Sequence, residues 1–470
     1  MSKWSEAYDI CVIGAGPGGY VAAIHAGRTG AKVALIEKEH FGGTCLNVGC
    51  IPTKSLLACS DILRTAKHAS NFGINIDGEI SFDWTAMLNR KDSIIEKLRS
   101  GISGLLKNAG VETYHGTASF NGKNDITITS EASEDKKITS TNTIIATGSK
   151  PTMPEFIPKS PKILDSTGLL NISEVPKSLI ILGGGVIGCE FACLFSELGT
   201  EITIVEMLPD ILPGHDIEVS KQMGRELKKR KIKILTGKPL ENIAVSEEGV
   251  GGIAGKKELS ADYMLISIGR LPVTDGLNID VTDVYVDKKG FIPVDNQCKT
   301  NIPNIYAIGD VTGRIQLAHL ASAMAATAAK NACNNEDRFS DKFVPGCVYS
   351  NPEIGSVGLT QQQCIEQGIE FNIGKFPFAA LGKAMAINES TGFCKIIADA
   401  KDDHILGVHI IGAHATDLIA EAVTAIEQNM TAVEFGKIIH AHPTLSEITM
   451  EAAHAVHGMS VHIPQKNKLP

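Results

Sequence analysis

Residues 8–19 read YDICVIGAGPGG, an apolar run that ends in Gly14, Ala15, Gly16, Pro17, Gly18 and Gly19. A helix-forming stretch follows, YVAAIHAGRTG, and then a second apolar run, KVALI, which ends in Glu37. Strand, glycine turn, helix, strand and terminal acid in that order form a βαβ unit that binds a dinucleotide. Gly14 suits the tight turn, Gly16 lets the backbone approach a pyrophosphate, and Gly19 lets helix and strand pack closely. The phosphates would lie against the helix N-terminus, with Glu37 on a ribose hydroxyl. Spaced glycines alone are a weak signal; in this setting they are a strong one.

The unit recurs at residues 178–206. SLIIL leads into Gly183-Gly184-Gly185-Val186-Ile187-Gly188, CEFACLFSELGT is helix-like, and EITIV ends at Glu206. Gly183, Gly185, Gly188 and Glu206 repeat the four roles, so two dinucleotides are expected on two domains. Each unit is echoed by a strand running into glycine: TIIATGS at 143–149, and MLISIGRLP at 264–272 with Gly269. In NIYAIGDVTG (304–313), Asp310 lies just beyond an apolar strand. A carboxylate there can bind the ribityl hydroxyls of a flavin or serve an ordinary turn.

From residue 347 the pattern changes. GFCKIIADAKDDHILGVHIIG reads as antiparallel strands around a turn at Asp402-Asp403, and TDLIAEAVTAIEQNM and SEITMEAAHAVHGM read as helices. This part is α+β and carries no nucleotide motif. SEASEDKK (130–137) reads as a solvated loop or hairpin tip without a function.

The 470-residue chain suits about three domains of roughly 150 residues. Apolar content of 43% with 46 glycines fits a globular α/β protein. A net charge of −9 without a basic tract argues against nucleic acid as a partner. No apolar run is long enough for a membrane span, and the start MSKWSEAYDI lacks the basic-then-apolar pattern of a signal peptide.

Eleven scattered cysteines do not make a secreted disulfide scaffold. Most read as small buried side chains. The exception is Gly42-Gly43-Thr44-Cys45-Leu46-Asn47-Val48-Gly49-Cys50-Ile51-Pro52-Thr53-Lys54. On a regular helix, residues five apart stand roughly 8–9 Å apart at Cα, beyond the ~7 Å a disulfide spans. A bond between Cys45 and Cys50 therefore needs a distortion, which Gly49 and Pro52 permit. Such a bond would be easy to reduce, as exchange chemistry requires. Two unpaired buried thiols are the alternative. A metal site is not expected, because no second Cys/His pair has ligand spacing.

GGTCLNVGCIPTK between the two fingerprints resembles the class I pyridine nucleotide–disulfide oxidoreductases, over essentially the whole chain. His440-Ala441-His442-Pro443-Thr444-Leu445-Ser446-Glu447 resembles the signature ending of the dihydrolipoamide dehydrogenase branch. The resemblance implies an α/β fold of two Rossmann-like dinucleotide-binding domains plus a C-terminal α+β dimerisation domain. The expected divisions are 1–149 (FAD), 150–274 (NAD), 275–346 (return to the FAD domain) and 347–470 (interface).

It also implies roles. Cys45 would be the interchange thiol and Cys50 the thiol against the flavin, with Lys54 near flavin N5 and Glu190 paired to it. A first-turn Glu190 would alternatively serve the helix dipole. His442 would be the base that deprotonates dihydrolipoamide, and Glu447 would orient it. Residues 444–447 also read as a capping box, and His440 is given no chemistry. Ala118, Thr147, Gly148 and Ser149 would touch FAD, and Thr44, Gln316, Leu317, Ala318 and His319 would be cofactor-binding. The family's AHKA reads Ala318-His319-Leu320-Ala321 here and the following acids are missing, a departure that bears on local helix electrostatics and sensitivity to NADH.

The implied reaction oxidises protein-bound dihydrolipoamide and reduces NAD, in a homodimer whose neighbouring chain completes the dithiol site. Expected partners are the lipoyl domains or core acyltransferase of 2-oxo acid dehydrogenase complexes, or the glycine cleavage lipoyl protein. A cytoplasm of bacterial type or a reducing organelle matrix follows. Glutathione-type reductases require arginines after the second acid, whereas Glu206 precedes Met207-Leu208-Pro209. Mercuric reductases carry a C-terminal cysteine pair, whereas the last cysteine here is Cys394. A non-catalytic flavoprotein subunit would not need the dithiol and the base.

Overall fold

The strand Glu6–Ile13 runs through the middle of a seven-stranded sheet in the computed structural model, which describes residues 6–130 and 133–464. It pairs in parallel with Val33–Glu37 on one side and Ser133–Ile145 on the other. Ile10, Cys11, Val12 and Ile13 are all buried, so the run is continuously apolar, as a parallel strand covered on both faces must be. Glu112–His115 extends the parallel layer beyond Val33–Glu37. Ile305–Ala307 joins it in parallel beside residues 143–145.

Ser133–Ile145 serves two layers: its first half pairs antiparallel with Asp125–Ser130 and its second half parallel with Glu6–Ile13. Of the two readings of residues 130–137, a solvated loop or a hairpin tip, the antiparallel pairing favours the hairpin tip, with strand on both sides. Ser130 pairs with Ser133 across the tip, and residues 131–132 of it lie outside the described residues.

The second unit is built the same way. Ser178–Leu182 lies between Glu201–Val205 and Tyr263–Ile266, all parallel, in a five-stranded sheet. Ser149–Pro151 leads into it and Arg270–Pro272 leads out, and these two short strands pair antiparallel with each other.

The third sheet is antiparallel throughout, and Phe393–Asp399 and Ile405–Gly412 pair around the expected turn. The helices Ala415–Glu427 and Glu447–Val456 cover one face, burying Ile419, Ala422, Ile448 and Ala452 against Ile396, Val408 and Ile410. The opposite face places Ile354, Phe393 and Ile411 in one apolar cluster with Met223 and Leu227 of the second unit. This two-sided burial docks the C-terminal sheet against the nucleotide units.

Cys11, Cys189, Cys193, Cys298, Cys364 and Cys394 are buried, and burial pushes their thiols up, which keeps them protonated and unreactive. Among the described residues no helix is long and apolar enough to cross a membrane, and no group of His, Cys, Asp or Glu could hold a metal ion.

Candidate active site

Each glycine turn divides its tasks by space. Gly14 has φ +96°, and a Cβ on it would lie 2.4 Å from the Ala146 carbonyl oxygen. A Cβ on Gly19 would lie 1.8 Å from the Gly14 oxygen, so only glycine lets the helix Pro17–Arg28 start this close to the strand. Gly16 has nothing nearer than 4.0 Å, and that open side faces the groove. The second turn repeats this: Gly183 at φ +107°, Gly188 at 2.1 Å from the Gly183 oxygen, Gly185 open.

The two acids are held alike. Glu37 accepts from the Ala15 N–H at 2.7 Å and the Glu39 N–H at 2.8 Å. Glu206 accepts from the Gly184 N–H at 2.7 Å and the Leu208 N–H at 2.8 Å. Each carboxylate is thereby fixed at the lip of its glycine turn, where a ribose would lie.

One continuous groove of about 2530 Å³ contains both turns. A single small-molecule pocket is roughly 300–1,000 Å³, so this space suits two extended dinucleotides. Glu37, Thr44, Ala118, Thr147, Gly148, Ser149, Gly269, Asp310, Gln316, Leu317, Ala318 and His319 all line it, as do Cys45, Cys50, Lys54, Glu190 and Glu206. Gly19 and Gly188 stand behind the turns. The open glycines, the helix N-termini and the fixed acids fit FAD in one half and NAD in the other.

Between the halves, the helix Gly43–Val48 stops and a new helix, Cys50–Lys67, begins. The break falls at Gly49, where a Cβ would lie 2.9 Å from the Thr44 oxygen. Pro52 sits in the first turn of the new helix, where its missing N–H costs no helical bond. The expected distortion is therefore real, and both cysteines, free thiols here, line the groove on either side of it. Interaction with the neighbouring Cys45 thiol holds Cys50 down to about 7; burial opposes this, and the Lys54 cation assists. Cys45 is pushed up correspondingly.

Lys54 Nζ donates to both Glu190 oxygens, at 2.9 and 2.8 Å, and sits 4.5 Å from the centre of the Tyr349 ring. Glu190 also accepts from the Tyr349 N–H at 2.9 Å. The helix Val186–Glu197 has no acid in its first turn, so the helix-dipole reading of Glu190 fails: the carboxylate lies further along and faces sideways to Lys54.

His442 Nδ1 donates to Glu447 Oε1 at 2.9 Å, and Glu447 Oε2 accepts from the Thr444 N–H at 2.8 Å. Burial pushes the Glu447 carboxyl up, but those two bonds prevail and hold it below its ordinary range. The capping box is only half formed. The Thr444 hydroxyl turns to the Ala441 carbonyl, and the helix starts at Glu447 itself. His440 is buried against Glu421 at 2.7 Å, a structural pairing. The His442 ring is 77% exposed and does not line the groove of its own chain.

Leu320, the departure from AHKA, is a core residue buried in the cluster with Met324 and Ala325, so its apolar side chain has a packing reason. His319 donates to the Pro345 carbonyl at 2.9 Å. Arg270 and Tyr349 line the groove unanticipated, because a lone arginine and a lone tyrosine carry no spacing signal.

Residues 8–325 match the pyridine nucleotide-disulphide oxidoreductase family, and residues 344–453 match that family's dimerisation domain. A dihydrolipoyl dehydrogenase from Chlamydia muridarum is 42% identical, covering 99% of this chain and 100% of its own length. One from Geobacillus stearothermophilus is also 42% identical, over 97% and 98%. Among solved structures, the HOCl-induced flavoprotein disulfide reductase RclA from Escherichia coli, as its Cu(II) complex, superposes with TM-score 0.87 at 28% identity, over 96% of this chain and 99% of that one. LpdA from Mycobacterium tuberculosis, with TM-score 0.89 over 96% and 99%, shares the fold at 22% identity.

Proposed function

The chain belongs to the pyridine nucleotide-disulphide oxidoreductases and has dihydrolipoyl dehydrogenase function with FAD and NAD(H), and from that premise we propose how its residues divide the work. FAD, when bound, carries electron pairs between the dithiol and the nicotinamide. Cys45 exchanges with the lipoyl sulfur, and Cys50, the more acidic thiol, is the one that faces the flavin. Lys54, held by Glu190, supplies the cation beside it. Glu37 and Asp310 hold the first dinucleotide and Glu206 the second, with residues 1–149 and 275–346 forming the FAD part and 150–274 the NAD part.

His442 takes the proton from the incoming dithiol. With Nδ1–H directed at Glu447, Nε2 carries the lone pair that accepts it. Its 77% exposure and its absence from its own groove support a homodimer, built on residues 347–470, in which each base serves the neighbouring chain's thiols. The partners are lipoyl domains or the core acyltransferase of 2-oxo acid dehydrogenase complexes, or the lipoyl protein of glycine cleavage. The working compartment is a reducing one, a bacterial-type cytoplasm or an organelle matrix.

The observation that carries this reading is the thiol pair straddling the Gly49 break, next to Lys54–Glu190, in a groove lined by both glycine turns. Steady-state assays with dihydrolipoamide, glutathione disulfide, NAD and NADP test it. Turnover with dihydrolipoamide and NAD alone is expected, and preferential turnover of glutathione disulfide would overturn it.

A further inference from the structure

The strands Ser149–Pro151 and Arg270–Pro272, which carry the chain out to the second unit and back, are also tied by side chains. Arg270 Nε donates to Ser149 Oγ and Nη2 to the Ser149 carbonyl, both at 2.7 Å. Ser149 Oγ donates to Asp310 Oδ2 at 2.5 Å. A hydroxyl has one proton, so with Arg270 on its acceptor side the proton must point at Asp310. The guanidinium thus sets the direction of the Ser149–Asp310 bond. Thr147 Oγ1 donates to the Val273 carbonyl at 2.6 Å and the Thr152 N–H to Gly269 at 3.0 Å, which brace the same strand pair.

Asp310 and Ser149 meet because Ile305–Ala307 and Ser133–Ile145 are parallel neighbours that end side by side. Among the described residues no carboxylate forms an ion pair with Arg270, although it lines the groove. Burial pushes its guanidinium down, while Asp310 and Cys50, both within electrostatic reach, pull it up. It is an incompletely paired cation at the junction of the two halves.

We propose that Arg270 is a positioning residue that couples the two dinucleotide sites: through Ser149 it aims Asp310 on the flavin side, while its charge remains available to the second dinucleotide. This rests on the reading that each half of the groove binds a dinucleotide. Reduction adds negative charge at Cys50, and a bound pyrophosphate adds it on the other side. Both draw on one guanidinium, so each weakens the other, and the effect is reciprocal.

ADP-ribose, a redox-inactive ligand carrying the pyrophosphate, tests this when titrated into the FAD-loaded protein before and after chemical reduction. Binding to the reduced form is expected to be about five- to tenfold weaker. By linkage, tenfold equals about 30 mV in the two-electron potential. Arg270→Met should bring the ratio to about one, whereas Ser149→Ala, which keeps the charge but breaks the hydrogen bond to Asp310, should keep the ratio and weaken retention of FAD. Arg270→Lys should keep part of the coupling. A merely structural arginine would lower FAD content or melting temperature and leave the ratio alone. A native ratio of one, or a native ratio retained in Arg270→Met, overturns the coupling. If ADP-ribose binds neither native form, the reading of the second site fails, and the coupling with it.

Discussion

Replacing Glu190 with glutamine should drag the Cys50 thiol below its value of about 7. Lys54 pulls that thiol down and Glu190 pushes it up. Glutamine keeps the volume and one oxygen for Lys54 or the Tyr349 N–H, but removes the opposing charge. A charge a few ångströms from a titrating group moves its pKa by roughly 1–3 units. Lys54 at 2.8 Å already offsets most of the Glu190 charge, so the low end applies: about one unit, or about 1.4 kcal/mol. Lys54→Met should move the thiol the other way by at least as much, because it leaves Glu190 unopposed.

Stability should change as well. Glu190 is 3% exposed, and losing its charge-assisted bonds costs about 1.5–3 kcal/mol. Lys54, 30% exposed, can regain water through the groove, which keeps the loss below the roughly 3–5 kcal/mol of a fully stranded buried charge. Lys54→Met strands the buried carboxylate and should cost more. The assay is a pH titration of the reduced, FAD-loaded protein, following the long-wavelength absorbance of the Cys50 thiolate against the flavin. For a depressed thiol this absorbance is present above the midpoint and lost as pH falls through it. Glu190→Gln should therefore retain it to lower pH, and Lys54→Met should lose it at higher pH. An upward midpoint in Glu190→Gln, or both variants moving the same way, would refute the electrostatic account.

Cys45→Ser and Cys50→Ser should each abolish dihydrolipoamide oxidation with FAD still bound, and thiol counts on the air-oxidised native protein should rise by a pair on mild reduction. His442→Ala should lose roughly 10²–10⁴-fold in dithiol oxidation with dimerisation intact, and Glu447→Gln less. Inactive Cys45→Ser and His442→Ala chains refolded together should regain activity; verified heterodimers that stay inactive would show that base and dithiol belong to one chain. NAD should be preferred over NADP by about tenfold or more, since Glu206 would face a 2′-phosphate as a like charge, and Glu206→Ala should narrow the gap. Equal native use of both would count against that placement.

What the sequence determined by itself are features set within a few residues of chain. The Gly14 and Gly183 turns, the helices behind them and the acids Glu37 and Glu206 follow from local sterics and strand periodicity. The need for a break between Cys45 and Cys50 follows from helix geometry, and Gly49 is where the close Thr44 oxygen allows it. Tertiary structure alone decided which distant groups meet. Lys54 reaches Glu190 because the helices Cys50–Lys67 and Val186–Glu197 pack together through Leu56, Leu57 and Phe191, a docking no local pattern encodes. The Arg270–Ser149–Asp310 chain depends on strand order and on the paired connecting strands. The half-formed capping box was undecidable locally, since Glu447 can serve the backbone, the imidazole or both, and only the fold around His442 gave it both. Whether His442 faces its own groove is likewise a matter of domain docking, and docking leaves the ring in solvent because the C-terminal sheet turns its apolar face, with Ile354, Phe393 and Ile411, toward the second unit.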